Sequence, residues 1–266
     1  MELKAAAPEG ITPIDPAKHA GMGVPPQTDY AFARSQLQVN LGLHEVRALI
    51  PVLPMLLCQG EQRWHIRGVM GLVGFSNLLV GPQGGWLARY IPDLLRMRHL
   101  RPIQVSGHDA FGLAVVDALA TMQHLQGAQQ GQLVTSEGEF TETYHALLKR
   151  LLLHTRQVEK IADIADALLQ HGLLDEVNAE SMLVAPRSNE KVFSVDMTRI
   201  ADLSPESLAE LVACGAMDIG FAMYHSRANV RRFTQLVRQR AGRREVDQDV
   251  VEALSTDDGF AFNFDQ

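Results

Sequence analysis

Apolar positions in the second half of the chain recur with a clear helical period. Phe140, Tyr144, Leu147, Leu148, Leu151, Leu152, Val158, Ile161, Ala165, Leu168 and Leu169 share one stripe, and Gly172 stands where a helix would stop. The stripe outruns the usual globular helix of roughly 8–20 residues. It therefore predicts one long helix, or two joined near His154-Thr155. Ser136-Glu137-Gly138-Glu139 has the form of a capping box at its start. Lys191 to Met197 then alternates as a strand. Ser204-Pro205-Glu206 opens a helix that ends at Gly215, and Met217 to Met223 reads as a buried strand. Ser226 stands as the cap of a basic helix with Val230, Phe233, Leu236 and Val237 along one side.

The first half is broken into shorter pieces. Residues 1–29 are dense in Pro and Gly and predict an extended arm, with one short strand near Ile11 to Ile14. Tyr30 to Leu37 predicts a short strand. Val46, Leu49 and Ile50 suit a helix ended by Pro51 and Pro54. Met55 to Cys58 and Trp64 to Leu72 predict a hairpin across Gln59-Gly60-Glu61, and Leu78 to Val80 a third strand. Gly81-Pro82-Gln83-Gly84-Gly85 is a turn, because Pro fixes φ while Gly accepts positive φ. A short helix after Pro92, a strand at Ile103 to Val105 and a helix over Phe111 to Leu125 complete this half.

Together these elements predict an α+β fold. A mostly antiparallel N-terminal sheet with short helices packs against a helical C-terminal half that returns one or two strands. The organisation expected is an arm at 1–29, one domain at 30–240 and an acidic tail at 241–266.

Composition narrows the class. With 266 residues, 46% hydrophobic and 21% charged, the chain can bury a sizeable core. Its net charge of −7 weighs against nucleic acid or an anionic membrane as partner. The two cysteines, Cys58 and Cys214, lie in apolar surroundings and are read as reduced. Met1-Glu2-Leu3-Lys4-Ala5 lacks the basic and apolar regions of a secretory signal, and charges interrupt the longest apolar runs. The expectation is a cytoplasmic protein without a transmembrane segment; the alternative is the cell surface, reached by a signal-independent route.

Candidate chemistry is sparse. His145 and His154 fall on opposite sides of the predicted helix at about 100° per residue. The chain has neither a His-Glu-x-x-His nor a Cys-x-x-Cys, so no metal and no cofactor is expected. Gly74-Phe75-Ser76 lacks the second glycine of a nucleophile elbow, and Gly81 to Gly85 lacks the spacing of a phosphate loop. No catalytic residue is assigned. The best ligand-binding candidates are Trp86, Arg89 and Tyr90, because an indole, a guanidinium and a phenol within one turn can stack on a planar or anionic ligand. The plainer alternative packs Trp86 and Tyr90 inward and leaves Arg89 in solvent. His225 and Ser226 are a second candidate pair, read alternatively as a helix start. The run from Arg227 to Arg244 is read as a solvated face or one paired with the tail's Glu245, Asp247, Asp249 and Glu252.

Two blocks of residues resemble the SapC family, bacterial proteins named for a surface-layer-associated member. The first block holds Tyr30-Ala31-Phe32-Ala33-Arg34, Leu43-His44-Glu45-Val46, Gly71-Leu72, Asn77-Leu78 and Trp86 through Pro92. The second holds Val195-Asp196, the Leu203 to Gly215 helix and Tyr224-His225-Ser226. The chain departs from the family at Arg96-Met97-Arg98-His99-Leu100, where an arginine-tyrosine-proline-phenylalanine ending is usual. The resemblance implies a non-catalytic binding or accessory protein, associated with uptake or modification of a small molecule or peptide at the cell envelope. Its implied partners are a small molecule or a protein such as a flavin-dependent halogenase-like or cupin-like enzyme. Self-association as a homodimer is a separate expectation. An enzyme with a pocket near Trp86, Tyr90 and His225, and a surface-layer structural component, are the alternatives.

Overall fold

A computed structural model describes residues 10–61, 63–72, 75–105, 110–126, 131–177 and 190–241. In chain order the strands are β1 (Ile11–Pro13), β2 (Met22–Gly23), β3 (Gln38–Leu41), β4 (Met55–Gln59), β5 (Trp64–Val69), β6 (Leu100–Gln104), β7 (Phe111–Val116), β8 (Gln123–His124), β9 (Leu174–Glu176) and β10 (Lys191–Val195). The helices are α1 (Leu43–Leu49), α2 (Asp93–Arg96), α3 (Glu142–Arg156), α4 (Val158–Gln170), α5 (Pro205–Cys214), α6 (Ala216–Ser226) and α7 (Asn229–Ala241). The fold is α+β, and the C-terminal half returns two strands, β9 and β10, to the sheet begun by β3, β4 and β5. The chain divides into two compact units, Met1–Thr28 with Pro92–Arg156 and Asp29–Ile91 with Gln157–Gln266. Residues 242–266, most of the expected acidic tail, lie outside the described residues.

In the first unit the N-terminal segment supplies edge strands. β1 pairs antiparallel with β7, from Ile11 opposite Val116 to Pro13 opposite Ala114, and β7 pairs with β6 on its other side. β2 pairs with β8. Ile14, Leu113, Val115, Leu133 and Tyr144 meet in the core. The Leu113 N–H donates to the Tyr144 hydroxyl oxygen at 2.9 Å, and the Tyr144 ring stacks on Phe140 with centroids 3.9 Å apart. On α3 the cap is Thr141, whose Oγ1 accepts from the Tyr144 N–H at 3.2 Å. Ser136 instead sits in a tight turn closed by Gly138 N–H to Thr135 O, with Gly138 at φ +80°. Gly138 at positive φ leaves the right-handed helical region that a capping box needs in its first turn. Asp93, fully buried, accepts from Arg96 at 2.7 Å and Arg150 at 2.9 Å and so ties α2 to α3.

The predicted helix over Phe111 to Leu125 is instead strand β7, a turn and strand β8. A short apolar run fits either state by period alone. Here Val115 and Val116 favour the pleat, and pairing with β1 and β6 on both sides decides it.

The second unit is a five-stranded antiparallel sheet in the order β3-β5-β4-β10-β9. Alternation along β5 sends Trp64 and Ile66 one way and Arg67 the other. Trp64 Nε1 donates to Asp166 of α4 at 2.8 Å, and its ring meets Phe193 of β10. Arg67 forms a bidentate pair with Glu190 through two bonds of 2.6 Å, both side chains nearly devoid of solvent. Helices α4, α5 and α6 pack on one another, with α4 against β5 and α6 against β4 and β10.

The long helical stripe divides at Gln157, whose Oε1 leaves the helix to accept the Leu43 N–H at the start of α1, 3.0 Å away. Of the two sequence alternatives, the jointed one holds. Ser204 caps α5, and Gly215 at φ +84° ends it. The strand expected at Met217 to Met223 is helix α6. Its Gly220 approaches Met197 so closely that a Cβ would lie 2.8 Å from the sulfur. Tyr30 to Leu37 forms a 3-10 turn at Ala31–Ala33 before β3, and Leu78 to Val80 gives only a single bridge from Val80 to Trp86. Among the described residues no single helix is long and apolar enough to cross a membrane.

Candidate functional site

The glycine turn is built as its composition requires and is anchored from outside. The Gly81 N–H donates to Gly85 O at 2.8 Å and the Gly84 N–H to Gly81 O at 3.0 Å. Arg34 donates to the carbonyls of Gly81 and Pro82. The Tyr30 N–H donates to Gly84 O at 2.8 Å. Gly84 has φ +87°, and a Cβ there would sit 2.1 Å from Asp29 Oδ1.

That docking carries Trp86 to Tyr90 into a local knot. Trp86 Nε1 donates to the Tyr90 carbonyl at 2.8 Å, and the Trp86 ring meets the Tyr30 ring edge-on at 5.5 Å. The Tyr90 hydroxyl donates to Glu45 at 3.4 Å, and the other Glu45 oxygen accepts the Gly42 N–H at 3.0 Å. Both aromatic residues are half-buried, while Arg89 is exposed. The polar ends of Trp86 and Tyr90 therefore hold the loop to itself and to α1.

His225 and Ser226 close α6. His225 is exposed beside Phe221 and Tyr224, with ring centroids 6.2 and 5.7 Å away. Ser226 is fully buried; its hydroxyl donates to Met223 O at 2.6 Å and accepts the Met55 N–H at 3.0 Å. Ser226 does not cap the following helix, because α7 begins at Asn229. Asn229 Nδ2 donates to Ser226 O and Ile50 O. In the basic run Arg231, Arg232 and Arg238 are exposed, and Arg227 is half-buried with its guanidinium over Tyr224 at 5.2 Å.

A cleft of about 280 Å³ opens in the first unit, lined by Thr12, His19, Met22, Asp117, Thr121 and Met122 over a floor of Val115 and Ala120. It forms where β1 and the turn after it meet the end of β7 and the loop into β8. Asp15 builds the turn: its Oδ1 accepts the Ala17 N–H at 3.0 Å, and its carbonyl accepts from His19 at 2.9 Å. The His19 ring folds back so that Nδ1 accepts the Asp15 backbone N–H at 2.9 Å. In the neutral imidazole the proton then lies on Nε2, the nitrogen left for a ligand. The Asp117 N–H donates to Gly10 O at 2.9 Å, and its side chain is exposed.

Sequence reasoning passed over every residue of this cleft. Thr12 to Met22 and Val115 to Met122 are distant in the chain and meet only through the pairings of β1 with β7 and β2 with β8. The β-branched pair Val115-Val116 at the end of an apolar run is a local signal for a strand there.

Searches of curated proteins and of solved structures each return no match. The SapC family profile matches residues 14–233, which takes in strands of both units, the aromatic loop and the His225-Ser226 turn. With most of its length matched in this way, the chain belongs to the SapC family.

Proposed function

We propose that this SapC-family chain is a non-catalytic binding or accessory protein. It works from the cytoplasm and holds a small molecule or peptide in support of its uptake or modification at the cell envelope, with an enzyme as the recipient. The observation that supports this most directly is the orientation of His19. A general base needs a lone pair facing the proton it removes. The Nδ1 lone pair of His19 instead faces the Asp15 N–H, so in the neutral ring the remaining nitrogen is a donor. Thr12 and Thr121 in the same cleft thus lack an imidazole base to activate them. Donor, acceptor and thioether groups suited to holding a ligand remain.

Among the ligand-binding candidates singled out in the sequence, Arg89 and His225 are the exposed ones, open to a protein partner. Ala120 lines the cleft, so Ala120→Trp fills it. Protein purified from its native cell and examined by native mass spectrometry should carry a small molecule that the Ala120→Trp variant does not. Conversion of that molecule into a product by the purified chain would overturn the reading.

A further inference from the structure

The groups left free in the cleft define what it would accept, granted the reading above that it binds rather than reacts. Asp117 places a carboxylate at the mouth, fixed through its backbone to Gly10 and without an ion pair or side-chain hydrogen bond among the described residues. His19 offers the nitrogen that Asp15 has not taken, a donor in the neutral ring. Thr12 and Thr121 add hydroxyls that donate or accept. Met22 and Met122 supply adaptable, polarisable walls.

We propose that the cleft takes a small compound with a free amino group, a nearby hydrogen-bond acceptor and a short aliphatic body. The ammonium would meet Asp117, the acceptor His19, and the aliphatic part the two methionines. An anion without an amino group would face the Asp117 carboxylate. A purely apolar ligand would strip water from Asp117 and His19 without replacing its hydrogen bonds. A hard cation needs several oxygen ligands, and here one carboxylate is present. A volume of 280 Å³ lies at the lower edge of small-molecule sites and, at about 30 Å³ per water-sized atom, holds about nine non-hydrogen atoms. That is the size of an amino-acid amide.

The test is titration calorimetry on the full chain with L-leucinamide, L-leucyl-glycinamide and N-acetyl-L-leucinamide. The free amines should bind, and acetylation should weaken binding by roughly twofold to fivefold, the worth of one exposed ion pair. Asp117→Asn should erase that difference without changing the circular dichroism, since the side chain is exposed. Tighter binding of the dipeptide would assign the site to peptide amino termini, and tighter binding of leucinamide to free amines. Binding of none of the three, or a difference that survives Asp117→Asn, overturns the proposal. If acetylated and free amides bind equally and Ala120→Trp abolishes both, the ammonium assignment fails while the binding reading stands. If native mass spectrometry also finds no molecule lost in Ala120→Trp, both fail.

Discussion

The hydroxyl of Ser226 receives a hydrogen bond from the backbone N–H of Met55 at 3.0 Å and gives one to the carbonyl of Met223 at 2.6 Å. The last turn of α6 is thereby pinned to the first residue of β4. Ser226→Ala would leave a buried N–H without its acceptor, at a cost of about 1–3 kcal/mol. The urea midpoint should fall accordingly, while capture of a ligand by the cleft of the first unit stays at the wild-type level. An unchanged midpoint would show that this pin contributes nothing.

Ser226 also shows why part of the fold was legible in the sequence and part was not. Several local signals hold because one short segment decides the outcome. Examples are the Ser204 cap, the Gly172 and Gly215 stops and the β4–β5 hairpin. A serine before a basic run satisfies the same local rule as a cap, but the decisive partner, Met55, comes from the other half of the chain. Similarly, the apolar runs of α6 and β7 fit helix or strand until their neighbours are known. One packs a glycine against Met197, and the other is flanked by β1 and β6. The cleft was invisible for this reason, because long-range pairing alone brings His19 and Asp117 to one place.

Arg67 and Glu190 face each other through two bonds of 2.6 Å with almost no access to solvent. Burial pulls the Arg67 pKa down, yet the hydrogen bond to Glu190 and the attraction of its carboxylate leave it above its ordinary value. Arg67 therefore keeps its charge against the Glu190 carboxyl. Removing one member strands a buried charge, so Arg67→Met should cost about 3–5 kcal/mol in urea unfolding. Arg67→Met combined with Glu190→Leu should recover much of that loss. Additive losses in the double variant would contradict a coupled pair.

Adjacent glycines of the aromatic loop differ sharply. Gly84 has φ +87°, and its added Cβ would strike Asp29 Oδ1, which accepts the Ala31 N–H at 2.8 Å. Gly85 has open space around its Cβ. Gly84→Ala should therefore lower stability by more than about 1 kcal/mol, through both positive φ and displacement of Asp29. Gly85→Ala should lie within about 0.5 kcal/mol of wild type. Equal effects at the two positions, measured by thermal unfolding, would mean that the turn is not anchored on Asp29.

His99 gives the first unit a pH response of predictable sign. It is 7% exposed, and its carbonyl accepts the Val116 N–H at 2.8 Å. Burial first, and then the charges of Arg98 and Arg101, hold its imidazole pKa below the ordinary value of 6.5. Between the folded pKa and the unfolded one of about 6.5, the unfolded chain binds more protons, so stability rises with pH across that window. The contribution is fully present above about pH 6.5 and is lost as pH falls through the folded pKa. His99→Gln keeps a polar side chain of similar reach and removes the titration. Wild type should thus lose more stability than His99→Gln between about pH 7.5 and about pH 5.5. Carboxylates elsewhere titrate alike in both chains, so the difference between the two slopes isolates this imidazole. Parallel slopes would mean that His99 takes up its proton equally well in the folded and unfolded chain.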